Sequence, residues 1–467
     1  MELRTYQVPA VQKGLDYFRS KNPKPSIIIA PTAAGKSIII GAIVDGIVKD
    51  LSLDGNVLVL QPTRELLLQN YEKFKAFGGR ASIYSASLDS KRIGNVTYAT
   101  IGSIKNIGAV FKEKGFKYLL VDEADRYPRE QTTSMFGKFL ADSGITYILG
   151  LTATPLKLQT NLDIYRNTFS KLVMLTSRSA KGNFYKEVIH CIQIQEMTAL
   201  KFWSKLEYEL YQIDSSGLVY NSTKAEFTEA SINKMYELNN TNDRIKFKLQ
   251  EIPERKRILV FVPSVSAAKK LAQEVPNSAV VWGDMPDADR DYVIRNFKAG
   301  KIRVVFNFGI LGVGFDYPEL DCIILGRVSS SLSWYYQVIG RITRIHPDKV
   351  DGLIVDFSGM VSRFGKVEDF YYAFEKNTWK LYGAGGILLT GIPIHEIGKH
   401  THATEAQEKP VIMTFGVWKG KEVKDVPVEY RNWALLNVNW NEYNKPIRKE
   451  MERLKNLQNN ATSLHSF

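Results

Sequence analysis

Residues 27–40 read IIIAPTAAGKSIII, and the organisation of the chain follows from them. The first Ile triplet is short, β-branched and apolar throughout, as a strand buried on both faces of a parallel sheet requires. The second triplet suits the first turns of a buried helix. Between them runs a loop of small residues ending in Gly35-Lys36-Ser37. A strand, such a loop and Gly-Lys-Ser at a helix start together form a phosphate-binding loop. Backbone N–H groups and the helix N-terminus attract phosphate oxygens, Lys36 neutralises their charge, and the Ser37 hydroxyl can hold Mg²⁺. The strict pattern begins with Gly where this chain has Ala30, and a second Ala, Ala33, sits inside the loop.

The whole chain is compatible with this reading. Its 467 residues suit two or three domains, and 44% hydrophobic with 24% charged residues is ordinary for a soluble globular protein. Lys and Arg exceed Asp and Glu by 62 to 49, a net +13 that suits a polyanionic partner and equally suits solubility. The two cysteines, Cys191 and Cys322, fit no metal-binding spacing and point to a reducing compartment. No apolar run reaches membrane-spanning length, and no signal peptide opens the chain, so a cytoplasmic protein is expected.

Further strands follow the loop. Residues 56–60 (NVLVL) run into Pro62-Thr63-Arg64, with Thr63 placed to cap a helix. Residues 96–100 (VTYAT) precede Gly102-Ser103, residues 118–121 (YLLV) end in Asp122-Glu123-Ala124-Asp125, and residues 147–151 (YILGL) end in Thr152-Ala153-Thr154-Pro155. The acidic pair is the sharpest of these signals. Nucleotide hydrolysis needs one carboxylate to hold Mg²⁺ and another group to orient or deprotonate water, and the C-terminal end of an apolar strand is where open α/β sheets place ligands. An acidic helix cap would also put carboxylates there. Upstream, the chain opens LRTYQVPAVQKGL (residues 3–15), where Val8, Val11 and Leu15 fall near helical spacing and suggest a short amphipathic helix with Pro9 in its first turn, and the amide of Gln7 can donate and accept at once, as an adenine edge requires.

In this order and spacing, Gln7, APTAAGKS, PTREL, Thr100, DEAD and TATP resemble the first motor domain of superfamily 2 helicases, the class containing DEAD-box and DEAH-box proteins. The resemblance implies that Gln7 reads adenine, with Arg4, Thr32 and Gly35 beside it on the nucleotide. Lys36 and Ser37 would hold phosphates and Mg²⁺, Asp122 would bind the metal, and Glu123 would act as general base. Thr152 and Thr154 would couple nucleotide state to domain contacts. Pro62, Thr63, Arg64, Thr100 and Gly102 would lie along the nucleic-acid strand.

The second half repeats the alternation of strand and helix. Residues 257–262, 279–282, 303–306, 322–325 and 353–356 are strand candidates, Ser264 can cap a helix, and Asp284 is placed to cap another through residues 290–297. Residues 307–316 (NFGILGVGFD) make a glycine-rich loop ending in a carboxylate, and residues 337–344 (QVIGRITR) put two arginines three apart, on one face if helical. Both stretches resemble second-domain motifs of the same superfamily. That likeness implies nucleotide contacts from Gly314 and Asp316, a strand contact from Asn307, and an ATP site completed by Gln337, Arg341 and Arg344. Gly312 stands where the family often has Thr. Many RNA-directed members have His before the final arginines, where this chain has Gln337 and Ile339. TATP and GFDYP look more like DNA translocases of recombination and restriction, including phage-encoded helicases.

The expected fold is therefore α/β, two RecA-like parallel-sheet motor domains in tandem. Motor domain 1 covers residues 1–160, a linker with a helical insertion 161–250, motor domain 2 251–370, and an accessory region 371–467. In the linker, residues 186–195 partly alternate as a strand does, residues 200–211 (LKFWSKLEYELY) have helical period, and residues 224–249 are helix-compatible. The aromatics of 202–211 suit a core face better than base stacking. Residues 413–433 resemble a small FGxWKGK…VPxxY…W module, in which Trp418, Lys419, Lys421 and Trp433 would suit stacking and phosphate contact. The histidines of residues 395–402 have the wrong spacing for a zinc helix. The functional expectation is a monomeric Mg²⁺- and ATP-dependent helicase acting on single-stranded, forked or branched DNA. An RNA helicase with the same motor, or a translocase subunit that does not unwind, remain open alternatives.

Overall fold

The computed structural model describes residues 2–127, 134–163, 165–177, 183–311, 317–398, 413, 416–419, 421–438, 447–448, 450–452 and 455. Contacts divide the chain into two units, residues 1–397 and 398–467.

The larger unit is built on two sheets. The first uses β1 (Ser26–Ile29), β2 (Asn56–Gln61), β3 (Ser82–Ser85), β4 (Ser90–Lys91), β5 (Val96–Thr100), β6 (Phe116–Asp122), β7 (Tyr147–Thr152) and, beyond an antiparallel hairpin of β8 (Leu156–Leu162) and β9 (Thr168–Met174), β10 (Glu187–Cys191). Their order is β10-β1-β7-β6-β2-β5-β3-β4, parallel except where β4 turns back on β3. The central strands are apolar on both faces because helices cover both, and Ile27, Ile28 and Ile29 have no exposure at all.

The second sheet is parallel throughout, in the order β11-β16-β15-β12-β14-β13, with β11 (Leu206–Leu210), β12 (Ile258–Phe261), β13 (Ser278–Trp282), β14 (Val304–Phe308), β15 (Cys322–Leu325) and β16 (Gly352–Asp356). A hairpin of β17 (Tyr371–Glu375) and β18 (Thr378–Tyr382) follows.

Caps agree with the sequence at Thr63 and Ser264, whose side chains accept from Leu66 N and Ala267 N. Asp284 does not cap; that helix runs Asp287–Lys298 behind Pro286. Residues 200–211 also differ from expectation. Residues 206–210 form edge strand β11 against β16, so pairing with a buried neighbour overrides a helix-compatible composition. The expected linker thus lends a strand to each sheet, β10 to the first and β11 to the second, and its helices Glu229–Leu238 and Thr241–Glu251 come later.

The smaller unit has its own apolar cluster of Met413, Val423, Val426, Ala434, Ile447 and Met451, with Trp418 and Tyr430 against it. No described helix is long and apolar enough to cross a membrane.

Candidate nucleotide site between the two sheets

Register aligns the strand ends that make the site. Ile29 of β1 lies opposite Thr152 of β7, and Leu151 lies opposite Asp122 of β6. Three motifs far apart in sequence therefore leave the sheet side by side at its carboxyl edge, where backbone groups and helix N-termini point outward.

The loop after β1 enters helix Lys36–Lys49 through Gly35, which has φ +78°. A Cβ there would also come within 2.6 Å of Gln7 Nε2, so glycine is required twice over. Ala33 sits at φ +64°, a conformation that costs an L-residue roughly 1 kcal/mol relative to glycine. Gln7 is buried, with Nε2 donating to Ala34 O at 2.8 Å and Oε1 accepting from Arg4 N at 3.0 Å. These bonds fix its amide and leave one N–H and one lone-pair site for a ligand.

Glu123 also has a left-handed backbone, φ 48°. Lys36 Nζ lies 3.3 Å from Glu123 Oε1, while Glu123 Oε2 is buried with no hydrogen-bond partner among the described residues. Asp122 accepts from Asn70 Nδ2 at 2.8 Å and from Glu123 N at 3.0 Å. Burial, then the charge of Glu123, push the Asp122 carboxyl above the usual carboxylate range, against the pull of Lys36 and Asn70. Two crowded carboxylates with an unsatisfied buried oxygen, facing a lysine and Ser37, are a donor set that suits a divalent cation and polyphosphate. Behind them Asp125 accepts from Thr152 Oγ1 at 2.5 Å and Thr154 Oγ1 at 3.3 Å, tying the threonine turn to the acidic strand end.

The second sheet's domain closes the site. A cavity of about 230 Å³ is lined by Arg4, Gln7, Thr32, Gly35, Lys36, Ser37, Asp122 and Glu123 from one side and by Pro318, Gly340, Arg341, Arg344 and Ile345 from the other. Gly340 packs so closely on the phosphate loop that a Cβ there would lie 2.3 Å from Thr32 Oγ1 and 2.5 Å from its Cβ. The helix Leu332–Ile339 has ended by this point, so the two arginines reach the cavity from a turn and not from a shared helical face. Gln337, expected to complete the ATP site, is instead buried within that helix and lies outside the cavity lining.

Other expected residues divide. Thr63 serves as a cap, Thr100 Oγ1 shares a hydrogen bond with Ser103 Oγ at 3.0 Å, and Gly102 faces open space. Asn307 is 1% exposed, paired with Phe261 of β12 inside the sheet, so it presents no surface to a strand in this conformation. Gly314 and Asp316 lie outside the described residues. In the smaller unit Lys419 and Lys421 are exposed, Trp433 is half-exposed 5.5 Å from the Tyr430 ring, and Trp418 packs inward.

Two sets of lining residues were not anticipated. Leu66, Gln69 and Lys73 line the cavity, with Asn70 on Asp122; their i, i+3, i+4, i+7 spacing on helix Arg64–Lys75 is a signal the sequence carries. Phe202, from the crossing between the sheets, also lines it, beneath the Arg4 guanidinium (4.4 Å to the ring centroid) and edge-on to Tyr6. No spacing in the sequence ties residue 202 to residue 4.

With this geometry, residues 1–157 match the family described as "Type III restriction enzyme, res subunit", and residues 241–346 match "Helicase conserved C-terminal domain". The chain belongs to the superfamily 2 helicases. Among its relatives is the "Putative ATP-dependent helicase IRC3" of Saccharomyces cerevisiae, 25% identical over 77% of this chain and 52% of that protein. A "51.5 kDa protein" of Lactococcus phage (isolate 7-9) is 24% identical over 71% of this chain and 65% of its own length. This helicase chain thus spans between about half and two thirds of the length of these relatives. A fragment of a putative HsdR subunit of a type I restriction enzyme from Vibrio vulnificus YJ016 shares the fold, with TM-score 0.56 and 16% identity over 78% of this chain and 66% of that one. The tandem pair of RecA-like parallel sheets is the architecture of the family.

Proposed function

We propose that the protein is an ATP-dependent DNA helicase or translocase that moves along one strand and remodels forked or branched DNA in recombination, repair or replication. The observation that carries the reading is the composite cavity, in which Lys36, Ser37, Asp122 and Glu123 of one domain face Arg341 and Arg344 of the other.

In this reading the base of ATP meets Gln7 and the Phe202 ring, and the phosphates follow the loop to Lys36. Ser37 and Asp122 would hold Mg²⁺, which supplies charge neutralisation at the phosphates. Glu123, set by its left-handed backbone and held 3.3 Å from Lys36, takes the proton of the attacking water. Arg341 and Arg344 stabilise charge developing on the transferred phosphoryl group. Because both sides are needed, binding favours the closed cleft and product loss releases it, so the two domains step along the strand. Asp125, through Thr152 and Thr154, carries the change at the acidic strand end into the adjoining turn. The net charge of +13 favours a nucleic-acid partner, and the TATP and GFDYP sequences favour DNA. The likeness to a phage protein is compatible with a phage helicase at work in host cytoplasm.

Steady-state ATPase, measured alone and with single-stranded DNA, a fork, a four-way junction and matched RNA at one salt concentration, tests this. Stimulation by branched DNA is expected. Stimulation by RNA alone overturns the DNA assignment, and stimulation by single strands without unwinding of any substrate favours a translocase subunit.

A further inference from the structure

Strand β2 ends in a residue that its packing does not explain. Val57, Leu58, Val59 and Leu60 are apolar and buried, as a central strand covered on both faces requires, and Gln61 after them is 0% exposed. Among the described residues neither its Nε2 nor its Oε1 has a hydrogen-bond partner. An amide kept dry and unbonded costs the fold more than an apolar side chain of the same shape would. Burial alone therefore gives no reason for glutamine at this position.

Register says where the amide lies. The pairing Leu60↔Val121 puts Gln61 beside Asp122 of β6, and Gln61 itself pairs with Thr100 of β5. In-register residues of parallel strands share a face, and their neighbours show which face it is. Asn70 of helix Arg64–Lys75 donates to Asp122 Oδ2 at 2.8 Å, and the Tyr98 ring, two residues before Thr100, lies 6.0 Å from the rings of Tyr71 and Phe74 of the same helix. The Gln61 side chain thus sits beneath that helix, between two hydrogen-bonded pairs. On one side is Asn70 with Asp122, where Asn70 Oδ1 is also buried and without a partner among the described residues. On the other, Thr100 Oγ1 and Ser103 Oγ share a hydrogen bond at 3.0 Å, and Ser103 Oγ accepts from Ala86 N at 2.9 Å. The first pair ends at the carboxylate of the nucleotide site. The second belongs to a turn that leaves the carboxyl edge of the same sheet with Gly102 in open space.

We propose that Gln61 is a positioning residue that joins the Thr100–Ser103 turn to Asp122. With a nucleic-acid strand on that turn, the Gln61 amide spans the gap: Nε2 donates to Asn70 Oδ1, and Oε1 accepts the Thr100 hydroxyl, whose hydrogen is free while Ser103 donates the one they share. Asn70 then has both amide atoms engaged, so its bond to Asp122 is held in one orientation and the carboxylate is fixed for the cation. Without the strand the joint is open, as in the structure, and Asp122 is held by fewer bonds. The inference rests on the nucleic-acid motor read above, with its strand on this turn.

The test uses the full chain and measures ATPase with and without single-stranded DNA, and with matched RNA, in wild type, Gln61→Met, Thr100→Val and the double variant. Met has the length of Gln, no donor and only a weak acceptor. Gln61→Met is therefore expected to match or exceed the wild-type Tm, while its stimulation ratio, kcat with strand over kcat without, falls roughly fivefold or more. A residue that only fills space would leave that ratio unchanged. Thr100→Val should lower the ratio as well, and the double variant should lose no more than the larger single loss, since both changes remove one joint. A wild-type ratio in Gln61→Met, or losses that multiply in the double variant, overturns the inference. So does a Tm of Gln61→Met below wild type, which would show the amide already bonded in the resting fold. If neither nucleic acid stimulates the wild type, the motor reading fails and the inference with it; equal stimulation of wild type and Gln61→Met defeats the inference alone.

Discussion

Replacing Gly340 by Ala separates the catalytic need for a closed cleft from the stability of either domain. Gly340 has φ −57° and ψ −13°, so alanine is at ease in the backbone and should favour the end of the preceding helix by several tenths of a kcal/mol. The three nearest atoms that a Cβ there would meet all lie across the cleft. The new Cβ would lie 2.3 Å from Thr32 Oγ1 and 2.5 Å from both Thr32 Cβ and Cγ2. All three atoms are at or beside the branch point of a β-branched side chain on the phosphate loop, and no rotamer change clears them all. Restoring ordinary contact needs the surfaces to part by roughly 1 Å, and Arg341, the next residue, parts with them. A misplacement of that size costs on the order of 100-fold in rate, or about 2.7 kcal/mol of transition-state stabilisation. The expected result in nucleic-acid-stimulated ATPase is a kcat down about 100-fold, an unchanged or slightly raised Tm, and a smaller change in KM, since Lys36 and Phe202 are untouched. Gly217→Ala, where a Cβ would meet nothing within 4 Å, is the control. A Gly340→Ala protein with kcat within about twofold of wild type would refute the reasoning that this approach belongs to the catalytic state.

Other substitutions probe each wall of the cavity. Lys36→Ala removes the cation 3.3 Å from Glu123 and should abolish turnover; measurable wild-type ATPase would sink the site assignment. Glu123→Gln should keep nucleotide binding by equilibrium fluorescence while losing roughly 10²–10⁴-fold in kcat. Phe202→Ala removes the ring under Arg4 and should raise KM for ATP roughly fivefold to tenfold with kcat little changed, and reduce discrimination against GTP; an unaltered KM would show that the base binds elsewhere. Burial and the charge of Glu123 push the Asp125 carboxyl from 3.8 up to about 6. The folded state therefore holds this proton more tightly, a contribution to stability that is complete below pH 3.8 and lost as pH rises through about 6. Without nucleotide, the fall in Tm from pH 5 to pH 7.5 should be smaller for Asp125→Asn than for wild type, and an equal fall would contradict the shift.

The parts legible in the sequence are those in which one short stretch must do one piece of chemistry. The phosphate loop, the acidic strand end and the threonine turn each combine an apolar strand with polar residues at its carboxyl end, and the structure aligns all three. What was not legible depends on contacts between distant stretches. Phe202 reaches Arg4 only because the chain crosses between sheets at that point. Residues 206–210 form a strand because β16 offers an edge, although Leu and Glu favour helix. Asn307, expected by resemblance to touch the nucleic-acid strand, is buried in β14 between paired neighbours Phe261 and Val281. Arg341 and Arg344 line one cavity, but from the turn after Ile339 and not from the shared helical face that their spacing suggests, since the helix ends where Gly340 packs on Thr32.

The crossing itself gives the cleft its logic. Residues 192–205 are the direct covalent path from β10, on the first sheet, to β11, on the second. Along that path Gln193 exchanges two side-chain hydrogen bonds with the backbone of Tyr372, and the Tyr372 hydroxyl donates to Ala153 O between the two threonines. Phe202 then forms part of the cavity wall, Trp203 is buried, and Ser204 N donates to Thr343 O at 2.8 Å, inside the turn that carries Arg341 and Arg344. A base seated on Phe202 is thus two residues from a bond that sets the arginine turn. A ligand can shift an equilibrium only by its difference in affinity for the two states. Phosphates gripped by Lys36 alone would bind an open and a closed cleft alike. In the proposed mechanism the difference comes from groups on both walls of the cleft, and one short segment joins the Phe202 ring, held against Arg4 and Tyr6, to the arginine turn.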